Sequence, residues 1–89
     1  VWYFPPTASI STYVYAMMAG PYVIWEDFYK EMPLRLFARQ SLAKYVLHEE
    51  WFHITKKGFE YFENYFSVPY PFGKYDQLIV PEFNSGAME

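Results

Sequence analysis

The sequence predicts an α+β fold, and three observations carry that prediction. Residues 11–39 contain segments rich in β-branched and aromatic side chains, which favour strands. Residues 49–66 place apolar side chains at spacings of three, four and seven, as a helix requires. A proline-rich loop then leads to a short apolar run at residues 78–80, which predicts a last strand.

Two strands are predicted before residue 26. Residues 11–19 are rich in β-branched and aromatic residues and are expected to form the first strand. Gly20-Pro21 ends it, because this pair favours a turn. Residues 22–25 are expected to form a second strand or to continue a bent one.

A hairpin tip and a further strand follow. Residues 26–32 are more polar, which indicates a turn. The strand comes after Pro33, where small and aliphatic side chains alternate mostly with polar ones at Leu34, Arg35, Leu36, Phe37, Ala38 and Arg39. This period of two is typical of a half-exposed strand.

Helical character begins after residue 40. Ser41 is a predicted N-cap for a first turn at residues 42–45, and the main helix is predicted from about Glu49 to Phe66. Its apolar side chains form two rows: Trp51, Ile54, Phe62 and Tyr65 in one, and Phe52, Phe59 and Phe66 in the other. So wide an apolar arc predicts burial on more than one side. Gly58 costs about 1 kcal/mol relative to Ala in a helix, and we expect it to admit another backbone.

The aromatic content exceeds what a chain of this size can bury. The 89 residues include ten Tyr, nine Phe and three Trp, and there is no cysteine to form a disulfide. Each large ring buries roughly 150–250 Å², and small domains have little interior. Some rings are therefore expected to meet another surface, either a partner or the missing remainder of a longer chain. A fragment with an incomplete fold explains this excess, whereas a free-standing monomer does not.

Charge and hydropathy exclude several classes of partner. The net charge of −3 argues against nucleic acid, which needs a basic protein surface. No apolar run approaches the roughly 18 residues of a membrane span, so none is expected. The lack of cysteine is compatible with any compartment, with the cytoplasm slightly favoured.

Two histidines lie close together but do not form a zinc motif. His48 and His53 are five residues apart, whereas the His-Glu-x-x-His motif places its histidines four apart. On a helix five steps separate side chains by about 140°, so both rings cannot face one metal. We expect ordinary histidines here, and no other catalytic constellation is complete.

The last 21 residues carry the most specific signal. Lys74-Tyr75-Asp76-Gln77 is followed, after a short apolar run, by Gly86-Ala87-Met88-Glu89. This order and spacing resemble the M1 family of zinc aminopeptidases of the aminopeptidase N type, whose exopeptidase motif is Gly-Ala-Met-Glu-Asn. Residues 11–21 and 56–63 also resemble segments of that family, so the likeness covers nearly the whole chain.

The resemblance implies two partial domains. Residues 1–40 would be the C-terminal part of the family's N-terminal β domain, a sandwich or saddle. Residues 41–89 would be the N-terminal part of its thermolysin-like catalytic domain. The two parts would supply terminal strands of the first domain, then a long helix and a short strand leading to the exopeptidase motif.

The resemblance also implies a function. These enzymes remove single residues from the amino end of peptides, with zinc held by two His and one Glu. Glu89 would pair with the substrate's free α-ammonium group, Gly86 and Ala87 would offer main-chain contacts, and Met88 would line the pocket for the first side chain. The zinc ligands and the catalytic Tyr have no counterpart here, so this chain alone is expected neither to bind catalytic zinc nor to cleave peptides.

Two other hypotheses stay open. The chain could be a small binding module that presents its aromatic surface to a peptide or a sugar, or a structural subunit whose aromatic faces meet a partner. The reading frame after Glu89 separates them from the aminopeptidase hypothesis. Continuation with Asn and, a few dozen residues on, His-Glu-x-x-His would exclude both.

Overall fold

A computed structural model describes residues 1–88. It contains strands β1 (Tyr22–Tyr29), β2 (Met32–Arg39) and β3 (Tyr75–Ile79), and one α-helix, α1 (His48–Phe66). Two short 3₁₀ turns lie at Thr12–Val14 and Ala43–Tyr45. The prediction of an α+β fold is confirmed.

The three strands form one sheet in the order β1-β2-β3. Strands β1 and β2 pair antiparallel through a two-residue turn at Lys30 and Glu31, where Lys30 has a φ of 55°. Strands β2 and β3 pair parallel, and α1 connects them, because parallel neighbours require a crossover. The chain from β2 to β3 is thus a βαβ unit with a hairpin partner on one edge.

The core lies between the central strand and α1. Leu34, Leu36 and Ala38 point to the same face of β2 and are at most 1% exposed. Phe52 of α1 packs against the two leucines. Seven partly buried apolar residues surround this cluster: Trp25, Tyr29, Met32, Val46, Phe59, Tyr75 and Ile79. Period-two alternation on β2 and a single apolar row on α1 account for this arrangement.

The opposite face of the sheet has no fully buried residue among those described. Ile24 and Phe28 of β1 are 51% and 59% exposed. Phe37 and Leu78, which are Cα partners across β2 and β3, are only half-buried. The sheet therefore has one covered face and one largely open face.

The strand predicted at residues 11–19 is wrong. The segment holds only the 3₁₀ turn at Thr12–Val14, with Ser11 Oγ accepting a hydrogen bond from Tyr13 N at 3.2 Å. Strand propensity is realised when neighbouring strands supply pairing and packing, and no strand within residues 1–88 pairs with this segment. Tyr13, Tyr15 and Met17 are accordingly exposed.

The hairpin tip is also shorter than predicted. Residues 26–29 belong to β1, and only Lys30 and Glu31 form the turn. The acidic residues at the end of β1 misled the prediction, since Asp27 lies on the helix side and pairs with Lys56 of α1 at 2.7 Å. Strand β3 begins at Tyr75 and ends at Ile79, earlier than the predicted run at residues 78–80.

The main helix is confirmed, but not its predicted surroundings. Ser41 caps nothing: Leu42 precedes the 3₁₀ turn, and α1 begins at His48 after Leu47. Burial on more than one side is wrong for the described residues, because Ile54, Phe62 and Tyr65 are 56–69% exposed. Within residues 1–88 no atom outside the helix approaches a Cβ placed at Gly58 within 4 Å.

The predicted division at residue 40 stays a prediction. Strand β3 lies after that point and pairs directly with β2, which lies before it. One sheet thus contains strands from both predicted parts. Within residues 1–88, no helical segment combines the length and the hydropathy that a membrane span requires.

Candidate functional site

The candidate site is the segment Gly86-Ala87-Met88-Glu89, which follows β3. Residues 80–88 contain no helix or strand, and Glu82 bends the backbone with a φ of 54°. Gly86, Ala87 and Met88 are exposed, and Met88 keeps 52% of its accessible surface. Glu89 lies outside the described residues, so its predicted role stays a prediction.

Neither an obligatory turn nor core packing explains Gly86 or Met88 within the described residues. Gly86 does not adopt a positive φ, and no atom lies within 4 Å of a Cβ placed on it. A turn that demands glycine is therefore absent at this position. Met88 is too exposed to be a core residue. Both residues remain available for contacts outside residues 1–88.

Strand β3 is tied to β2 on the open face of the sheet. Arg35 Nε donates to Asp76 Oδ1 at 2.8 Å, and Arg35 Nη2 donates to Oδ2 at 2.7 Å. These two residues are also Cα partners in the parallel register. Lys74 Nζ adds a third hydrogen bond to Oδ2. Burial acts to raise the pKa of Asp76, but the hydrogen bonds from Arg35 and Lys74 outweigh it and hold the pKa below its ordinary 3.8.

The next residue ties β3 to the helix on the covered face. Gln77 Oε1 accepts a hydrogen bond from Trp51 Nε1 at 3.1 Å. Thr55 Oγ1 also lies 3.1 Å from that oxygen. Two consecutive residues of β3 therefore make polar contacts in opposite directions, because successive side chains of a strand point to opposite faces.

The loop between α1 and β3 is anchored by one carboxylate. Glu63 Oε1 accepts from Tyr70 N at 3.1 Å, and Oε2 accepts from Tyr29 Oη and Lys30 Nζ, each at 3.0 Å. The hydrogen bond from the Tyr70 backbone is the main cause that lowers the pKa of Glu63. Glu63 thus joins the helix, the hairpin turn and the loop that leads to β3.

Tyr75 anchors the start of β3 in the core. Its ring meets Phe59 edge-on at 5.0 Å and Tyr70 at 5.9 Å, and Phe59 stacks on Tyr29 at 5.2 Å. Such edge-to-face pairs stabilise by about 0.5–1.5 kcal/mol beyond the area that they bury. Tyr75 therefore joins the start of β3 to the aromatic part of the core.

The two histidines make separate contacts. His48 stacks on Trp25 with ring centroids 5.3 Å apart, while His53 is exposed. Within residues 1–88 no group of three His, Cys, Asp or Glu residues could hold a metal ion. The described residues therefore do not fit a zinc site, and no catalytic step through a metal is assigned to them.

Arg35 and Gln77 are the site-supporting residues that sequence reasoning missed. The alternation in residues 34–39 indicated only that Arg35 faces away from the core. Its pairing with Asp76 depends on the parallel register of two strands 41 residues apart in sequence, which no local pattern encodes. The role of Gln77 could not be predicted from a local pattern either, because its partners lie on α1.

Comparison with known proteins agrees with the motif order. The family described as "Peptidase family M1 domain" matches residues 50–89. The chain is 46% identical over 93 residues to an "Aminopeptidase N" of Streptomyces lividans, covering 100% of this chain and 11% of that protein. It is 34% identical to a "Tricorn protease-interacting factor F2" of Thermoplasma acidophilum, with 97% of this chain and 10% of that protein covered. For a "Glutamyl aminopeptidase" of Bitis rhinoceros the identity is 32%, with coverages of 97% and 9%.

The family model covers most of α1, β3 and the segment after it, and the relatives cover nearly the whole chain. The chain belongs to the M1 peptidase family. It spans about a tenth of the length of the curated relatives that it matches.

Proposed function

We propose that this chain is the part of a longer zinc aminopeptidase that recognises the amino terminus of a peptide substrate. The observation that carries the proposal is the Gly86-Ala87-Met88-Glu89 motif at the end of the region that matches the M1 peptidase family. The names of two matched relatives, an aminopeptidase N and a glutamyl aminopeptidase, support the same activity for the longer protein.

Glu89 supplies the charge in this proposal. A fixed carboxylate attracts the free α-ammonium group of a peptide, whereas an internal peptide bond offers no such charge. Pairing at that point also sets which peptide bond lies over the reacting centre. The substrate class is therefore peptides with a free amino terminus, and the product is a single amino acid plus a shortened peptide.

The small side chains of Gly86 and Ala87 allow the substrate backbone to approach the motif closely. Gly86 and Ala87 offer main-chain N–H and C=O groups to the substrate backbone, as an added strand would use them. Met88 lines the pocket for the first side chain, because a flexible thioether adapts to different shapes. The exposure of all three residues is compatible with these roles.

The remainder of the longer protein completes the site in this proposal. In the proposal, as the resemblance to the M1 family implies, zinc would be held by residues of the longer protein outside this chain. The division into the end of a β domain (residues 1–40) and the start of a thermolysin-like catalytic domain (residues 41–89) belongs to the same proposal. The exposed aromatic rings of α1 would then pack against further parts of the protein.

The test compares Glu89→Gln with wild type in the complete protein that contains this chain. The readout is kcat/KM for an alanyl amide with a free α-amine, and for the matched amide in which a hydroxyl replaces the amine. Glu89→Gln should lower kcat/KM for the amine about 10- to 150-fold, as expected when a charged hydrogen bond of roughly 1.5–3 kcal/mol is lost. The hydroxyl analogue should change little.

Glu82→Gln is the matched control, because Glu82 lies on the same exposed segment four residues before Gly86. It should leave both rates within about twofold. The isolated 89-residue chain with added zinc should show no turnover. An unchanged preference for the amine in Glu89→Gln would refute the assigned role.

A further inference from the structure

We infer that Arg35, Asp76 and Gln77 are positioning residues that fix the register of β3 against β2 and α1. This arrangement, called the register lock below, positions the recognition segment, residues 86–89, that follows β3. The inference rests on the proposed function, since it concerns where Gly86-Ala87-Met88-Glu89 is held. Its basis is a juxtaposition: Asp76 is bound by β2 on one face of the sheet, and Gln77 is bound by α1 on the other.

The apolar pattern of β3 specifies its register in part. Tyr75 and Ile79 pack against the core, whereas Leu78 lies on the open face and is half-buried. A slip by one residue would bring Leu78 to the covered face in place of Ile79, but it would also take Tyr75 out of the core. The aliphatic residues alone therefore discriminate weakly against a slip, and the other side chains of β3 must supply the rest.

The polar residues Asp76 and Gln77 add to the selection that Tyr75 provides. In the observed register Asp76 is the Cα partner of Arg35, and the guanidinium donates hydrogen bonds to both carboxylate oxygens. A slip by one residue would turn Asp76 toward α1 and the apolar core, where it would lose Arg35. The same slip would turn Gln77 away from Trp51 and Thr55. The bidentate geometry of arginine makes this pairing directional as well as charged.

The consequence reaches the recognition segment. A one-residue slip displaces a strand by about 3.3 Å along its axis. Only residues 80–85 separate the end of β3 from Gly86. A displacement of about 1 Å at a reacting centre can cost roughly 100-fold in rate. In this inference the register of β3 sets where the chain enters the motif at residues 86–89.

The test uses the complete protein. It measures the ratio of kcat/KM for the amide with a free α-amine to kcat/KM for the matched amide with a hydroxyl. This ratio does not depend on the folded fraction, because the same active molecules cleave both substrates. Asp76→Asn and Arg35→Lys should each lower the ratio about tenfold or more, a part of the effect expected for a 1 Å displacement. Arg35→Lys keeps the charge but loses the bidentate hydrogen bonding. It therefore tests the inference even if the Asp76→Asn protein does not accumulate.

Exchange of the pair provides the rescue. In a Lys74→Ala background, which removes the second cation near residue 76, Arg35→Asp combined with Asp76→Arg should recover most of the ratio. Lys57→Gln is the control, because it breaks the exposed Lys57–Glu60 pair at 3.2 Å on α1 and should leave the ratio within about twofold.

The outcomes separate the two ideas. If Glu89→Gln lowers the ratio while Asp76→Asn and Arg35→Lys leave it unchanged, the register lock is wrong and the proposed function stands. If Glu89→Gln leaves the ratio unchanged, the proposed function fails, and the register lock fails with it. A loss in Asp76→Asn that the exchanged pair does not restore would assign Asp76 a general structural role instead.

Discussion

The two faces of the sheet differ sharply, although the same three strands build both. On the helix side Leu34, Leu36 and Ala38 are at most 1% exposed. On the other side Ile24 and Phe28 keep more than half of their accessible surface. The contrast shows that α1 covers one face of the sheet. The apolar side chains of the other face stay exposed within residues 1–88.

Helix α1 repeats the contrast on a smaller scale. Its inner row, which includes Phe52 and Phe59, packs on the sheet. Its outer surface carries stacked aromatic pairs, Tyr61 with Tyr65 at 5.9 Å and Phe62 with Phe66 at 6.0 Å. All four of these rings are exposed. Such a row of exposed aromatic rings is typical of a surface that packs against another part of a protein.

The largest expected effect tests the covered face. Leu36→Ala removes a side chain with no exposure at the centre of β2, and it should cost about 2–5 kcal/mol of unfolding free energy. Phe28→Ala on the open face should cost less than about 1 kcal/mol, because surface substitutions are usually mild. Urea denaturation of the 89-residue chain measures both. Equal losses would mean that the two faces do not differ as described.

A second, intermediate effect tests what covers the outer surface of α1. Phe62 is 56% exposed, so Phe62→Ala should change the stability of the isolated chain by less than about 1 kcal/mol. In the complete protein the same substitution should cost roughly 3 kcal/mol if further sequence buries this ring. Lys57→Ala on the same helix is the control and should be mild in both proteins. A mild Phe62→Ala in the complete protein would contradict the proposed packing.

The elements that sequence predicted well are those whose pattern is local and strong. Strand β2 follows from the alternation of Leu34, Leu36 and Ala38 with larger or charged side chains, and α1 follows from its apolar rows. Residues 11–19 also had strand propensity, but within residues 1–88 no strand pairs with them. The turn at Lys30 was hidden because a positive φ there is usually signalled by Gly or Asn, and neither is present.

The candidate site divides in the same way. The motif at residues 86–89 and its resemblance were visible in sequence, since they are contiguous. The contacts that hold β3 were not, because Arg35 and Asp76 meet only through a parallel register, and Gln77 meets Trp51 only through helix packing. Non-local pairing of this kind depends on tertiary structure rather than on a window of residues.

The smallest expected effect concerns the pH dependence of stability at Glu63, whose carboxylate joins α1 to the hairpin and to the loop before β3. The Tyr70 backbone N–H is the first cause that lowers the pKa of Glu63, followed by the hydrogen bond from Lys30. A carboxylate whose pKa is lower when folded stabilises the protein above its unfolded pKa, and that contribution disappears as pH falls through the folded pKa. The ordinary value is 4.5, so the loss is expected below that pH.

Glu63→Gln should therefore be less stable than wild type near neutral pH, and the difference in melting temperature should shrink as the pH falls below 4.5. Glu31→Gln, which removes an exposed carboxylate from the adjacent hairpin turn, is the matched control and should change the melting temperature less near neutral pH. Melting curves of the chain at several pH values measure the difference. A gap between Glu63→Gln and wild type that stays constant down to pH values well below 4.5 would show that packing at Glu63, rather than its charge, joins the helix to the loop before β3.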